Sequence, residues 1–208
     1  DETHKRGFRF MCWMNAFRVT TETYVTNGSA LSLPVTELVQ MKHNALANLA
    51  EGNFAKEHPE YVVAGSYDEK LILNPTEPAV QKFMVDTIME IVENYDVDAI
   101  HFDDYFYIDG ADDTSTREKY NTENLSIGDF RRKQVDLFIE ALSNEIRAYN
   151  QENHKAVQLG ISPTGVYKNA NSQTEANTPI EDYIFDSNGN LVYPTGATTG
   201  CQMHYESY

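Results

Sequence analysis

Apolar positions along the chain switch between a run-like strand spacing and a helical spacing, and the switches outline the fold. Gly7 to Asn15 (GFRFMCWMN) reads as a buried strand, with aromatic and apolar residues behind a glycine and with Asn15 and Arg18 just past its end. Thr20 to Leu33, rich in Thr, Asn and Ser, reads as a loop long enough to be a substrate-facing insertion. Leu71-Ile72-Leu73-Asn74-Pro75 is a short extended piece stopped by proline, after which Thr76, Glu77 and Pro78 open a helix. From Ala79 to Tyr95, Val80, Phe83, Met84, Ile88, Ile91 and Val92 fall at helical spacing and leave Lys82, Asp86 and Glu90 outside.

The apolar run Ala99 to Phe106 follows as a second strand, then a polar loop from Asp109 to Asn124. Ser126 and Asp129 are helix-start residues for a second amphipathic helix reaching about Tyr149, with Phe130, Val135, Phe138, Leu142 and Ile146 inward. Val157 to Pro163 makes a third strand, again ending in polar residues. The order predicts an α/β chain with a parallel sheet and right-handed crossovers. Strand and helix units occupy 1–166, and the pattern dissolves over 167–208 into Asn, Thr, Ser and Gly with scattered aromatics. Three strands are too few for a closed eight-stranded barrel, which takes about 250 residues, so the expectation is an incomplete domain with elements missing on both sides.

Composition narrows the partners. A 41% hydrophobic and 12% aromatic content marks a globular chain, and 16 basic against 32 acidic residues give a net charge of −16, which disfavours nucleic acid and anionic membrane surfaces. The two cysteines, Cys12 and Cys201, offer neither a disulfide framework nor a Cys-rich zinc site. No apolar run reaches the roughly 18 residues of a membrane span. Asp1 to Arg6 is not a signal peptide, although a mature or truncated chain would show none.

Chemistry concentrates where the second strand ends. In Val97 to Tyr107, strand alternation puts His101, Asp103 and Tyr105 on one face and Phe102, Asp104 and Phe106 on the other. A carboxylate at the end of a buried parallel strand carries a solvation cost that a purely structural strand avoids. The bland alternative for Asp104 is a cap or an ion pair with Arg131 or Arg132.

The string Asp98 to Tyr107 (DAIHFDDYFY) resembles the signature of the bacterial glycosyl-hydrolase-like 10 family. Trp13 to Arg18, Leu73-Asn74-Pro75 and Gly160-Ile161-Ser162-Pro163 agree with it in order and spacing. The resemblance implies a (β/α)8 TIM-like barrel, present here as about strands 3 to 5. It also implies a glycoside hydrolase of bacterial cell-wall or related polysaccharide, peptidoglycan glycan strands first, in an extracytoplasmic setting. The chain departs from the family pattern at Ala16 and Ile108, where proline is usual, and at Thr164, where an aromatic is frequent.

Glycoside cleavage uses two carboxyl groups, one to protonate the leaving oxygen and one to attack or to activate water. Asp103, Asp104 and His101 are the catalytic candidates. Asn15, Arg18, Asn74 and Ser162 suit sugar hydroxyls and carboxylates, and Trp13, Tyr105, Phe106, Tyr107 and Tyr167 offer flat rings for sugar faces. None of Glu181, Asp182, Asp186 and Glu206 stands out as the second carboxylate. No cofactor is indicated. His101, Asp103 and Asp104 lack a second histidine at ligand spacing, so no metal site is assigned. No Gly-rich phosphate loop or Gly-x-Ser-x-Gly elbow occurs. Two rival readings stand beside the hydrolase: a noncatalytic carbohydrate-binding barrel and a metal-assisted hydrolase.

Overall fold

A computed structural model describes residues 2–67, 69–103, 105–108 and 110–162, together with two short antiparallel strands at Ile184–Phe185 and Leu191–Val192. Helix α1 (Glu2–Lys5) precedes strand β1 (Met11–Met14). Helices α2 (Val35–Ala47) and α3 (Phe54–Glu57) and a 3-10 turn (Pro59–Tyr61) lead into the antiparallel hairpin of β2 (Val62–Ala64) and β3 (Leu71–Leu73). Helix α4 (Pro78–Asn94), strand β4 (Ala99–Phe102), helices α5 (Thr114–Tyr120) and α6 (Ile127–Asn153), and strand β5 (Gln158–Ile161) follow.

The three strands expected from sequence form one parallel sheet in the order β1-β4-β5. Each crossover carries helices, as parallel strands require. Helix α4 has proline at its start, and Ser126 caps α6 by accepting from the Asp129 amide at 3.2 Å. At its far end α6 stops on His154, whose φ of 52° lies in the left-handed region.

One face of the sheet is packed. Ile100 and Phe102 are fully buried beneath α4 and α6, where Phe138 meets Phe102 at 5.8 Å and Phe17 at 5.0 Å between ring centroids. Burying side chains of this size contributes roughly 1.5–3 kcal/mol each, which holds the helices to the sheet. The opposite face corrects one expectation. The Gly7 to Asn15 segment is not buried on both sides, because Phe8, Phe10, Met11 and Trp13 are exposed and only Cys12 and Met14 contact the core.

The extended piece expected at Leu71–Leu73 is a strand, paired antiparallel with β2. Two further elements differ from the sequence reading. Strand β4 ends at Phe102, four residues before its expected end at Phe106. The polar stretch Asp109 to Asn124 contains α5, held by a buried cluster. Asp113, whose side chain is inaccessible, accepts from Arg131 Nε at 2.8 Å, Arg131 Nη2 at 2.8 Å and Arg117 Nε at 3.0 Å. Arg131 Nη2 also donates to the Ala111 carbonyl at 3.0 Å, and the Arg131 guanidinium lies 5.2 Å from the Tyr107 ring centroid. Arg131 therefore pairs with Asp113.

The same loop is tied to the hairpin. Ser66 N donates to Gly110 O at 3.2 Å and Asp112 N to Ala64 O at 3.1 Å. Gly110, at φ 70°, leaves no room for a side chain, since a Cβ there would sit 2.1 Å from Ser66 Oγ.

Candidate active site

The register of the sheet places three of the expected residues at one level. Met14 aligns with Phe102 and Phe102 with Ile161, so Asn15, Asp103 and Ser162 each stand one residue beyond a strand end. The ladder continues through this level, with Ser162 N donating to Phe102 O at 2.9 Å. This is the carboxyl end of the sheet, where ligands of open parallel sheets bind. Asp103 is half-buried and makes no hydrogen bond or ion pair with any described residue. A carboxylate withheld from bulk water and unused by the fold is available for chemistry.

One residue earlier, Trp13, His101 and Gly160 align across the three strands. Register neighbours share a face, so this row lies on the open side of the sheet. Trp13 is 64% exposed and His101 is half-buried. The His101 ring lies over Gly160, where a Cβ would come within 3.0 Å of Nδ1. Glycine thus provides the space that the imidazole occupies, a role its place beside the Ile-Ser-Pro run did not disclose. His101 also makes no hydrogen bond with a described residue, which leaves both ring nitrogens available.

Asn15 is part-buried, and its Oδ1 is buried without a hydrogen-bond partner. An unsatisfied buried amide oxygen costs about 1–3 kcal/mol. Arg18 is exposed and stacks on half-buried Tyr105, its guanidinium carbon 4.4 Å from the ring centroid. Ser162 is exposed.

Three other expected contacts are corrected. Asn74 is only 2% exposed, and its amide is consumed internally: Nδ2 donates to Thr116 Oγ1 at 2.8 Å and Oδ1 accepts from Thr76 N at 3.1 Å. It is a turn residue that joins the hairpin to α5. Tyr107 is fully buried and shares a 2.9 Å hydrogen bond with Thr76 Oγ1, so its ring is core and cannot stack on a sugar. Burial pushes its phenol above the ordinary tyrosine range, a shift partly offset by the Thr76 bond. Phe106 is likewise core, 6.0 Å from Phe102 between centroids. Asp104, Tyr167, Glu181, Asp182, Asp186, Glu206 and Cys201 lie outside the described residues.

The opposite end of the sheet is structural. Asp98 Oδ2 accepts from the Phe10 amide at 2.6 Å and pairs with His4 Nε2 at 2.8 Å, which fastens α1 and the start of β1 to β4. The His4 bond, and then the Phe10 amide, hold the Asp98 carboxyl below its ordinary pKa. Among the described residues no cluster of three or more His, Cys, Asp or Glu side chains is arranged to hold a metal ion, and no helix is long and apolar enough to cross a membrane.

A parallel α/β sheet that presents an unengaged carboxylate, a histidine, an amide and an exposed tryptophan at its carboxyl end has the residue types of a carbohydrate-processing site. The chain belongs to the glycosyl hydrolase-like 10 family, whose model matches residues 1–193. It is 35% identical over 185 residues to the glycosyl hydrolase YngK of Bacillus subtilis, an alignment covering 86% of this chain and 31% of YngK. It is 29% identical over 173 residues to the glycosyl hydrolase DigH of Escherichia coli O6:H1, covering 81% of this chain and 35% of DigH. The chain therefore spans about a third of the length of these curated relatives.

Proposed function

We propose that this chain carries part of the active site of a glycoside hydrolase with a TIM-like barrel, acting outside the cytoplasm on a bacterial cell-wall polysaccharide, peptidoglycan glycan strands first. The observation that carries the reading is Asp103. It stands one residue past the end of β4, level with Asn15 and Ser162, half-buried and with no partner among the described residues. In this role Asp103 acts as nucleophile or as general acid/base. His101, on the same side of the sheet, hydrogen-bonds substrate or keeps the carboxylate ionised. Asn15 and Ser162 hold sugar hydroxyls, and Trp13 supplies a stacking surface. Family membership and relatives named glycosyl hydrolases support the reaction class.

A second reading is a noncatalytic carbohydrate-binding barrel. The two are separated by turnover of denuded peptidoglycan glycan strands by the full-length protein and its Asp103→Asn variant. The hydrolase reading expects activity in the parent and a loss of at least about 100-fold in the variant, the usual scale for a positioned acid or base. Equal turnover in both removes Asp103 from catalysis. Glycan binding without turnover in the parent establishes the second reading.

A further inference from the structure

We propose that the groove between helix α2 and the Pro59–Tyr61 turn is a binding site for a single-chain alkyl carboxylate, with the tail on its apolar wall and the head on the Lys42 ammonium. The site shares no residue with the hydrolase reading above and does not depend on it.

Helix α2 carries more apolar surface than the core takes up. Leu38, Met41 and Ala45 pack against the core beside buried Leu46, whereas Val35 and Val39, one turn apart, are 74% and 61% exposed. Val39, Leu46, Ala47 and Pro59 form the apolar wall of a groove of about 570 Å³, within the range of about 300–1,000 Å³ usual for small-ligand sites. A valine left in water adds nothing to the packing of the fold, while an alkyl chain laid over it removes that surface from water.

The charge around the groove is unbalanced at one point. Lys56 is engaged by Glu51 and by the Leu49 carbonyl, and Glu60 by His58 at 3.1 Å. Lys42 is half-buried, spends one N–H on the Val62 carbonyl and forms no ion pair with a described residue. Burial pushes its ammonium below the ordinary lysine range, and Asp112 offsets this only in part, from beyond ion-pair reach. Lys5, Lys82, Lys133 and Lys155 each pair with a carboxylate. Lys70 and Lys119 do not, yet Lys70 donates to the Thr21 carbonyl at the surface, Lys119 lies exposed on the Tyr120 ring, and neither lines this groove. A partly desolvated cation without a counter-charge, beside an apolar wall, is matched by a ligand that brings one negative charge and a hydrocarbon tail. A monoanion suits the place better than a phosphate dianion, because Glu60 keeps its own charge in the lining and the chain carries −16 overall.

Calorimetric titration of the full-length protein with butyrate, hexanoate and octanoate tests the site, with octanol and octyltrimethylammonium as neutral and cationic controls. Affinity is expected to rise about 2- to 4-fold per methylene, and octanoate to bind about 10-fold tighter than octanol. Lys42→Met should abolish that difference and Lys42→Arg should keep most of it, with urea midpoints confirming that the variants fold. Val39→Glu, at an exposed position, should weaken octanoate by about 10-fold or more. Asp103→Asn should bind octanoate as the parent does, and a loss there would place the ligand at the end of the sheet and overturn the assignment. Equal affinity for octanoate and octanol, tighter binding of the cationic control, a preference undiminished in Lys42→Met, or no saturable binding overturns it as well. Should Lys42→Met fail to fold, Val39→Glu decides: lost octanoate affinity upholds the site, and retained affinity refutes it.

Discussion

Replacing Arg131 by Met tests whether the buried charge cluster holds the loop that begins at Asp103. Arg131 supplies two of the three charge-assisted bonds to Asp113, at 2.8 Å each, and a 3.0 Å bond to the Ala111 carbonyl. The Asp113 side chain is wholly inaccessible and that of Arg131 is 6% exposed, so water cannot replace the lost donors. Arg117, at 21% exposure, still neutralises part of the charge through its 3.0 Å contact. Breaking a buried pair by removing one partner costs about 3–5 kcal/mol. For a chain of this size each kcal/mol lowers Tm by about 2–4 °C, which gives a drop of roughly 6–20 °C. Thermal and urea unfolding followed by circular dichroism measure it, with an unchanged urea slope as the check that stability alone has moved. The Asp113→Leu/Arg131→Met double variant should be less destabilised than the two single losses combined, because no uncompensated carboxylate remains. A single-variant cost below about 1 kcal/mol would refute the view that this cluster is a desolvated anchor.

Gly160→Ala brings a methyl within 3.0 Å of His101 Nδ1, so the imidazole must move by a few tenths of an ångström. Turnover of glycan should fall about 10-fold or more while Tm changes by only a few degrees, and unchanged turnover would remove His101 from the chemistry. Acid should loosen the N-terminal tie. The Asp98 carboxyl is held below its ordinary value in the fold, so its contribution is complete above about pH 4 and is lost as pH falls through the depressed value. Protection of the Phe10 amide from hydrogen exchange, corrected for intrinsic rate, should hold steady above about pH 4 and decline below it. Asp98→Asn should flatten that profile, and an unaltered profile would reject the assignment.

What the linear order of residues determined by itself was periodic and local. The apolar spacing of Val80 to Val92 and of Phe130 to Ile146 specifies two helices with a buried stripe, and the flanking Pro78 and Ser126 mark their starts. The strands at 99–102 and 158–161 fall within the runs expected at 99–106 and 157–163, so their existence was legible while their ends, just before Asp103 and Ser162, were not. Helix α2 was passed over, although Leu38, Met41 and Ala45 fall at helical spacing and pack against the core beside buried Leu46. Strand β2 spans only Val62–Ala64, too short for alternation to show.

Tertiary structure decided which side chains of the right type are used. Trp13 and Tyr107 are both aromatic residues near strand ends, yet one is exposed on the open face of the sheet and the other is sealed against Thr76 and Arg131. Arg131 found its partner 18 residues back in Asp113, and Asn74 was taken up by Thr116 from 42 residues away. Periodicity reports how a side chain points relative to its own backbone. Whether that direction meets a neighbour, a solvent-filled space or a distant charge depends on long-range packing, which no local window of sequence contains.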